Sequence, residues 1–150
     1  MMKRSERMQP VRKLKQQEER QLAKRLAQAQ QALQKEESQL QMLQQYQREY
    51  FNAVTGSQSQ GSTGSIRAID LEKYQMFLSR LERAIQNQGE VRVLREKAVE
   101  AARQAWAEAN SRLKALDNLI EKMRFEEERE QDKREQRMLD DMPLRTNRYD

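Results

Sequence analysis

The sequence predicts an all-α protein: a long antiparallel two-helix coiled-coil hairpin with an overhanging C-terminal tail that is helical or disordered. Charged residues make up 35% of the chain and aromatic residues 5%, which is too little large apolar material for a conventional globular core. Gln, Leu, Ala, Glu, Lys and Arg dominate the rest and favour helix. Three of the four glycines lie between residues 54 and 66, with a coiled-coil pattern on either side. The cluster therefore separates two helices.

The first helix is predicted over residues 10–54, after a flexible basic N-terminus at 1–9. Pro10 suits the first turn of a helix, where its missing N–H has no partner to lose. Val11 and Leu14 keep helical spacing but lie out of phase with the residues that follow. Beyond them a seam repeats in steps of three and four residues, as in a coiled coil. The seam is Leu22, Leu26, Ala29, Leu33, Glu36, Leu40, Leu43, Gln47, Tyr50 and Val54.

Residues 55–65 form a predicted flexible Gly/Ser/Gln turn. A connection this short lets the second helix fold back on the first, because each helix exposes one apolar seam. A parallel homodimer of continuous helices is the main alternative, and the glycines argue against it. A turn centred near residue 60 would place three pairs of residues level: Leu43 with Phe77, Leu33 with Gln88, and Leu14 with Trp106.

The second helix is predicted over residues 66–123. Twelve of its fifteen seam positions are apolar. Beside the three consecutive polar positions, Val91, Leu94 and Ala98 offer a shifted stripe, so the sequence is compatible with a local phase slip. The seam is Tyr74, Leu78, Leu81, Ile85, Gln88, Arg92, Arg95, Val99, Ala102, Trp106, Ala109, Leu113, Leu116, Ile120 and Met123.

Residues 124–150 are predicted to leave the hairpin as a charged extension. The same steps beyond Met123 reach only charged residues, beginning with Glu127, and a turn near residue 60 lets Met1 reach only about residue 119. Residues 1–25 carry nine Lys or Arg against three Glu, a balance of +6, while residues 126–141 carry four against eight, a balance of −4. In a hairpin these opposite charges lie towards the same end, where they attract each other weakly or present both signs to a partner.

The composition argues against an enzyme, a cofactor and a metal site. The chain has no His and no Cys, so the commonest general base, nucleophile and soft-metal ligands are missing. The acidic run at residues 126–128 is interpreted as a solvated helix face. No apolar run exceeds three residues and no apolar segment follows the basic N-terminus, so we expect a cytoplasmic protein without a membrane span or a cleaved signal. The basic N-terminus is compatible with a nucleic-acid partner, but it has no aromatic stacking platform.

Several apolar residues lie outside the seam, close to the turn. With Leu40 and Leu78 at heptad position a, two aromatic residues fall at g, one at e, and two methionines at c and f. Residues at g and e often thicken a coiled-coil seam, whereas contiguous exposed apolar surface usually marks a partner site. Both interpretations remain open from the pattern alone. These residues are Tyr46, Phe77, Phe51, Met42 and Met76.

Three segments also resemble the FliJ family of flagellar export proteins. They are "QLQMLQQYQREY" (39–50), "YQMFLSRLERAIQNQ" (74–88) and the charged "REQDKREQRMLDD" (129–141). The resemblance covers about residues 10–141. The chain differs from the family pattern at Gln88, a position that is commonly His in the family, at Pro143 and in its ending "PLRTNRYD".

The resemblance implies a non-enzymatic component of the flagellar type III export apparatus that serves bacterial motility and chemotaxis. Such a protein folds like the two-helix shaft of a rotary ATPase γ subunit. It associates with a hexameric export ATPase (FliI-like), the cytoplasmic domain of an export gate protein (FlhA-like) and export chaperones, at the inner membrane of the flagellar base. The equivalent stalk of a virulence-type secretion system and a nucleic-acid-associated coiled coil are the alternatives. The family's partner-binding surface corresponds to Gln39, Leu43, Tyr46, Tyr50, Phe77, Leu81, Ala84 and Gln88.

Overall fold

The computed structural model describes residues 2–59 and 68–142 and contains two long helices. They are α1 (Arg4–Ser59) and α2 (Ala68–Asp141), and the described residues contain no strand. Contacts divide the chain into Met1–Ala23 with Ala105–Asp150, here the terminal unit, and Lys24–Gln104, here the inner unit. Each helix contributes one segment to each unit.

In the inner unit the two segments pack as an antiparallel pair. The Gln88 side-chain amide donates to the backbone carbonyl of Glu36 (3.1 Å), while Tyr50 stacks on Tyr74. Later residues of α1 therefore meet earlier residues of α2, which confirms the predicted helical hairpin. Gln88 was expected opposite Leu33 and instead meets a residue almost one helical turn later. The difference arises because α1 continues to Ser59, which moves the crossover towards higher residue numbers.

The predicted seam is where the side chains are buried. All ten seam positions from Leu22 to Val54 are buried or half-buried, and so are all the α2 seam positions except Arg92 and Arg95. The most buried apolar side chains of the described residues are all seam residues. They are Leu40, Leu81, Val99 and Ile120.

The phase slip considered around residue 92 does not occur. Arg92 and Arg95 are exposed, yet Val99 resumes the same phase as a buried residue. The shifted stripe does not pack between the helices, since Leu94 and Ala98 are exposed. Long arginine side chains can carry their charge to solvent from a seam position, so the helix does not need to rotate.

In the terminal unit α1 starts at Arg4 rather than at Pro10, which lies inside the helix. The first turn closes with a bond from the Arg7 N–H to the Lys3 carbonyl (3.1 Å). Ser5 is buried and donates its N–H to Glu127 Oε1 (3.0 Å) and its hydroxyl to Glu127 Oε2 (2.7 Å). The carboxylate of α2 therefore satisfies an amide at the start of α1, which a helix otherwise leaves without a partner.

The seam of α1 continues upstream of Leu22 with the same steps, but it changes from apolar to mostly polar. Buried or half-buried side chains recur at these positions although only Met8 among them is apolar, whereas the apolar Val11 and Leu14 are exposed. The facing segment of α2 is apolar and includes Leu113, Leu116 and Ile120. We call the α1 residues the polar seam: Ser5, Met8, Arg12, Lys15 and Glu19.

Besides the bonds from Ser5 to Glu127, two cross-helix contacts hold the polar seam. Trp106 donates its indole N–H to Glu19 Oε1 (2.8 Å). Arg12 forms an ion pair with Asp117. A turn at residue 60 predicts that Trp106 lies opposite Leu14, but it pairs with Glu19. As with Gln88, the partner in α1 therefore lies later in the chain than predicted.

Packing of α2 against α1 ends after Glu127 rather than at Met123. The helix itself runs on to Asp141, and every side chain from residue 128 to 142 is exposed. Over its described residues, neither helix has an apolar stretch that could cross a bilayer.

At the other end, the first residues of the predicted turn are helical. Thr55 lies inside α1 and its hydroxyl donates back to the Phe51 carbonyl (2.8 Å). The remainder of that turn lies outside the described residues, as do residues 143–150 of the predicted extension.

Candidate docking surface

The eight residues singled out by the resemblance lie on one side of the inner unit. Counting heptads from Leu40 and Leu78 puts every one of them at position d or g. Position g lies beside d around a helix, and in an antiparallel pair the g positions of both helices flank the same side of the seam. We call this set the candidate surface: Gln39, Leu43, Tyr46, Tyr50, Phe77, Leu81, Ala84 and Gln88.

Aromatic rings form the part of the candidate surface nearest the turn. Phe77 packs on Tyr50 with ring centroids 4.5 Å apart, and Tyr50 stacks on Tyr74 at 5.2 Å. Tyr46 meets the edge of Phe77 at 6.1 Å with an interplanar angle of 62°. These distances are typical of favourable aromatic pairs. Tyr46 is therefore held in place by a ring that is itself anchored on the seam.

A second part of the candidate surface is organised by the side-chain amide of Gln88. Its nitrogen lies within hydrogen-bonding distance of the Glu36 backbone carbonyl, the Glu36 carboxylate and Gln39 Oε1. Glu36 and Gln88 are both polar residues at seam positions, and each satisfies the other. This mutual pairing explains why two polar residues are tolerated between apolar layers.

Between these two parts lies an open depression of about 340 Å³. Its rim includes Tyr46, 53% exposed, and Met42, 70% exposed. Met42 is absent from the set that the resemblance implies, although its apolar side chain outside the seam is visible in the sequence. The residues that line the depression are Gln39, Met42, Leu43, Tyr46 and Gln88.

Members of the candidate surface differ in how much they present to solvent. Gln39 and Tyr46 are exposed, whereas Leu43, Tyr50, Phe77, Ala84 and Gln88 are half-buried. Leu81 is 7% exposed and belongs to the core between the helices. A partner can therefore touch Tyr46 directly, while Leu81 can act only by supporting the residues above it.

The opposite side of the inner unit is more polar. Phe51, at position e, is as exposed as Tyr46, at 53%. It lies at a depression that also includes Arg48, Asn52 and Glu82, and no ring contact with Phe51 is found among the described residues. Clustered, mutually packed aromatic residues thus distinguish the candidate surface from the rest of the inner unit.

One ionisable group in the described part of the chain has a clearly shifted pKa. The pKa of Glu127 is lowered below its ordinary value of 4.5, chiefly because its carboxylate accepts the backbone N–H of Ser5 and then the Ser5 hydroxyl. Among the described residues, no group of three or more His, Cys, Asp or Glu side chains is placed to hold a metal ion.

The fold and the candidate surface define a helical-hairpin protein with an aromatic face on one side. The sequence model of the family described as "Flagellar FliJ protein" matches residues 3–148. The chain therefore belongs to the flagellar FliJ family and is a component of the flagellar export apparatus. No curated protein and no solved structure matches the chain.

Proposed function

We propose that this protein couples the export ATPase to the export gate and assists the export chaperones, without catalysing a reaction itself. The candidate surface would contact the cytoplasmic domain of the gate protein. The observation that carries this proposal is the exposed Tyr46 ring, held against Phe77 beside an open apolar depression. Pre-ordered aromatic residues lose little conformational freedom on binding and are frequent binding hot spots.

The terminal unit is the proposed site of the ATPase contact, by analogy with the rotary shaft that the family resembles. It carries the start of α1, bonded to α2 through Ser5 and Glu127, and charges of both signs. Lys3, together with Arg4 and Arg7 of α1, lies around a depression with Glu130 and Arg134 of α2. This mixed surface suits a charged partner, in contrast to the aromatic candidate surface. The proposal thus assigns different partners to different units, which makes them separable by mutation.

A matched pair of substitutions tests the gate contact. Tyr46→Ala removes a ring from the candidate surface, and Phe51→Ala removes an equally exposed ring from the opposite side. Truncation of an aromatic hot spot commonly costs 2 kcal/mol or more, so we expect Tyr46→Ala to weaken binding to the gate domain about thirtyfold. Phe51→Ala should leave the affinity within about twofold. Titration of the purified full chain with the gate domain gives both values.

Two further measurements complete the test. Phe77→Ala should weaken gate binding as well, but it also removes the packing on Tyr50, so its melting temperature must be recorded beside its affinity. The ATPase should bind wild type and Tyr46→Ala equally. Equal gate binding by Tyr46→Ala and Phe51→Ala would show that the candidate surface is packing and not a docking site.

A further inference from the structure

A second apolar strip continues along the same side of the inner unit, beyond the candidate surface. It consists of residues at positions c, d and g that the seam does not take up. Leu94 is 65% exposed and Ala98 is exposed, while Val91 and Ala32 are half-buried. The bond between Gln88 and Glu36 sets the register, which places Ala32 and Lys35 of α1 beside this part of α2. We call this strip the middle groove: Ala32, Lys35, Val91, Leu94, Arg95 and Ala98.

The charges around the middle groove differ from those on the opposite side. Lys35 and Arg95 are exposed, and neither takes part in an ion pair within the described residues. On the opposite side two arginines are paired along their own helix: Arg92 bonds Glu96 (3.0 Å), and Arg103 lies 3.8 Å from Glu100. The groove therefore combines apolar surface with uncompensated positive charge.

The dimensions of the groove suit a third helix. Alanine at positions 32 and 98 leaves room for a backbone to approach, and helices pack with axes about 8–10 Å apart. Both walls are helices whose backbone groups are already paired, so they offer no edge on which a strand could add. A helix satisfies its own backbone and can lay an apolar stripe between two others. From Val91 to Ala98 the groove extends about 10 Å at 1.5 Å per residue, so about two turns of a partner helix would contact it.

We propose that the middle groove is a docking site for an acidic amphipathic helix of a partner protein. The apolar stripe of that helix would cover Val91 and Leu94, and its flanking carboxylates would face Lys35 and Arg95. This site is separate from the gate contact proposed above, and either one can exist without the other. Since exposed ion pairs contribute little to affinity, the apolar contact supplies most of the binding and the charges select the partner.

Two synthetic peptides serve as probes for the full-length chain. Both are 18-residue helices with the same leucine stripe, flanked by Glu in one and by Lys in the other, and their binding is followed by fluorescence anisotropy. We expect the Glu-flanked peptide to bind at least about tenfold more tightly than the Lys-flanked peptide. The preference should decrease at high salt because the charges are exposed.

Adjacent residues provide the matched control. Leu94→Asp places a charge in the groove, and Val93→Asp places the same charge on the neighbouring residue at position b, which is 47% exposed on the other side. We expect Leu94→Asp to lower the affinity for the Glu-flanked peptide at least about tenfold. Val93→Asp should change the same affinity less than about twofold. The double substitution Lys35→Glu with Arg95→Glu should reverse the preference between the peptides.

Each contrary result overturns the proposal. If the Glu-flanked peptide does not bind, the middle groove is not a docking site. If the two peptides bind equally, the groove does not select an acidic helix. Equal effects of Leu94→Asp and Val93→Asp would place the peptide elsewhere. If sedimentation shows a wild-type dimer that Leu94→Asp converts to a monomer, a second copy occupies the face instead. Tyr46→Ala should leave peptide binding within about twofold, so failure here is distinct from failure of the gate contact.

Discussion

Lys15→Leu tests whether the polar seam of the terminal unit limits the stability of that unit. Lys15 is half-buried at a seam position, and it forms an ion pair with Glu18 on its own helix at 3.5 Å. The facing segment of α2 presents Leu113 and Leu116 at seam positions. A leucine at position 15 would therefore complete an apolar layer that α2 already supplies.

The expected gain follows from opposing contributions. Full burial of a leucine side chain stabilises by about 1.5–3 kcal/mol, but the site is half-buried and the lysine stem already covers some apolar surface. Loss of the pair with Glu18, spaced i to i+3, costs about 0.2–0.5 kcal/mol. Leucine and lysine have similar helix propensities, so the backbone contributes little. The net effect should be about 0.5–1 kcal/mol of stabilisation.

Thermal unfolding measured by circular dichroism gives the result. For a chain of this size, 1 kcal/mol corresponds to about 2–4 °C in melting temperature, so Lys15→Leu should melt about 1–4 °C higher. Lys13→Leu is the control, because Lys13 is exposed and surface changes are usually within about 0.5 kcal/mol. A lower melting temperature for Lys15→Leu, or the same shift in both variants, would refute the assignment of Lys15 to the seam.

Three other substitutions test individual contacts. Pro10→Ala should raise the melting temperature, since proline inside a helix costs up to about 3 kcal/mol; no change would mean that α1 starts after Pro10. Leu81→Ala should cost about 2–5 kcal/mol as a core truncation, whereas the 45% exposed Leu119→Ala should cost less than about 1 kcal/mol in the same denaturant titration. The stabilisation from ionised Glu127 is present above pH 4.5 and is lost as pH falls through its lowered folded-state pKa. Glu127→Gln should therefore melt lower than wild type at pH 7, with the difference disappearing in acid, and a constant difference across pH would exclude the bond to Ser5 as its source.

Sequence periodicity predicted the helices and their apolar seam because burial in a two-helix pair depends almost wholly on position in the heptad. It gave the buried Leu40, Leu81, Val99 and Ile120 without further information. It did not reveal the polar seam, because Arg12 and Lys15 carry no apolar signal. Continuing the steps of three and four back from Leu22 would have found them. The register was misplaced because the glycine cluster marks a turn only to within several residues, and a shift of the crossover by a few residues displaces every facing pair.

Heptad positions predict on which side of the hairpin the candidate surface lies, but they do not predict how exposed each of its residues is. Tyr46 and Phe77 are both at g, yet Phe77 is half-buried because it packs on Tyr50, and Tyr46 is left outside it. The hydrogen-bonding role of Gln88 also depends on which α1 residues lie opposite. Such contacts are set by register, which local sequence specifies weakly in a chain of repeating Leu, Ala and Gln.

The polar contacts of the terminal unit offer a physical reason for its unique register. An apolar seam with a seven-residue period is almost as well packed after a slip of one heptad, because leucine layers are interchangeable. The same slip would separate Arg12 from Asp117, the Trp106 indole from Glu19, and Ser5 from Glu127 at once. Unpairing these groups while they remain half-buried costs more than the pairs contribute over solvent. The charged and polar residues in this seam thus give less stability than leucine would supply, but they fix which residues of α1 and α2 meet in the terminal unit.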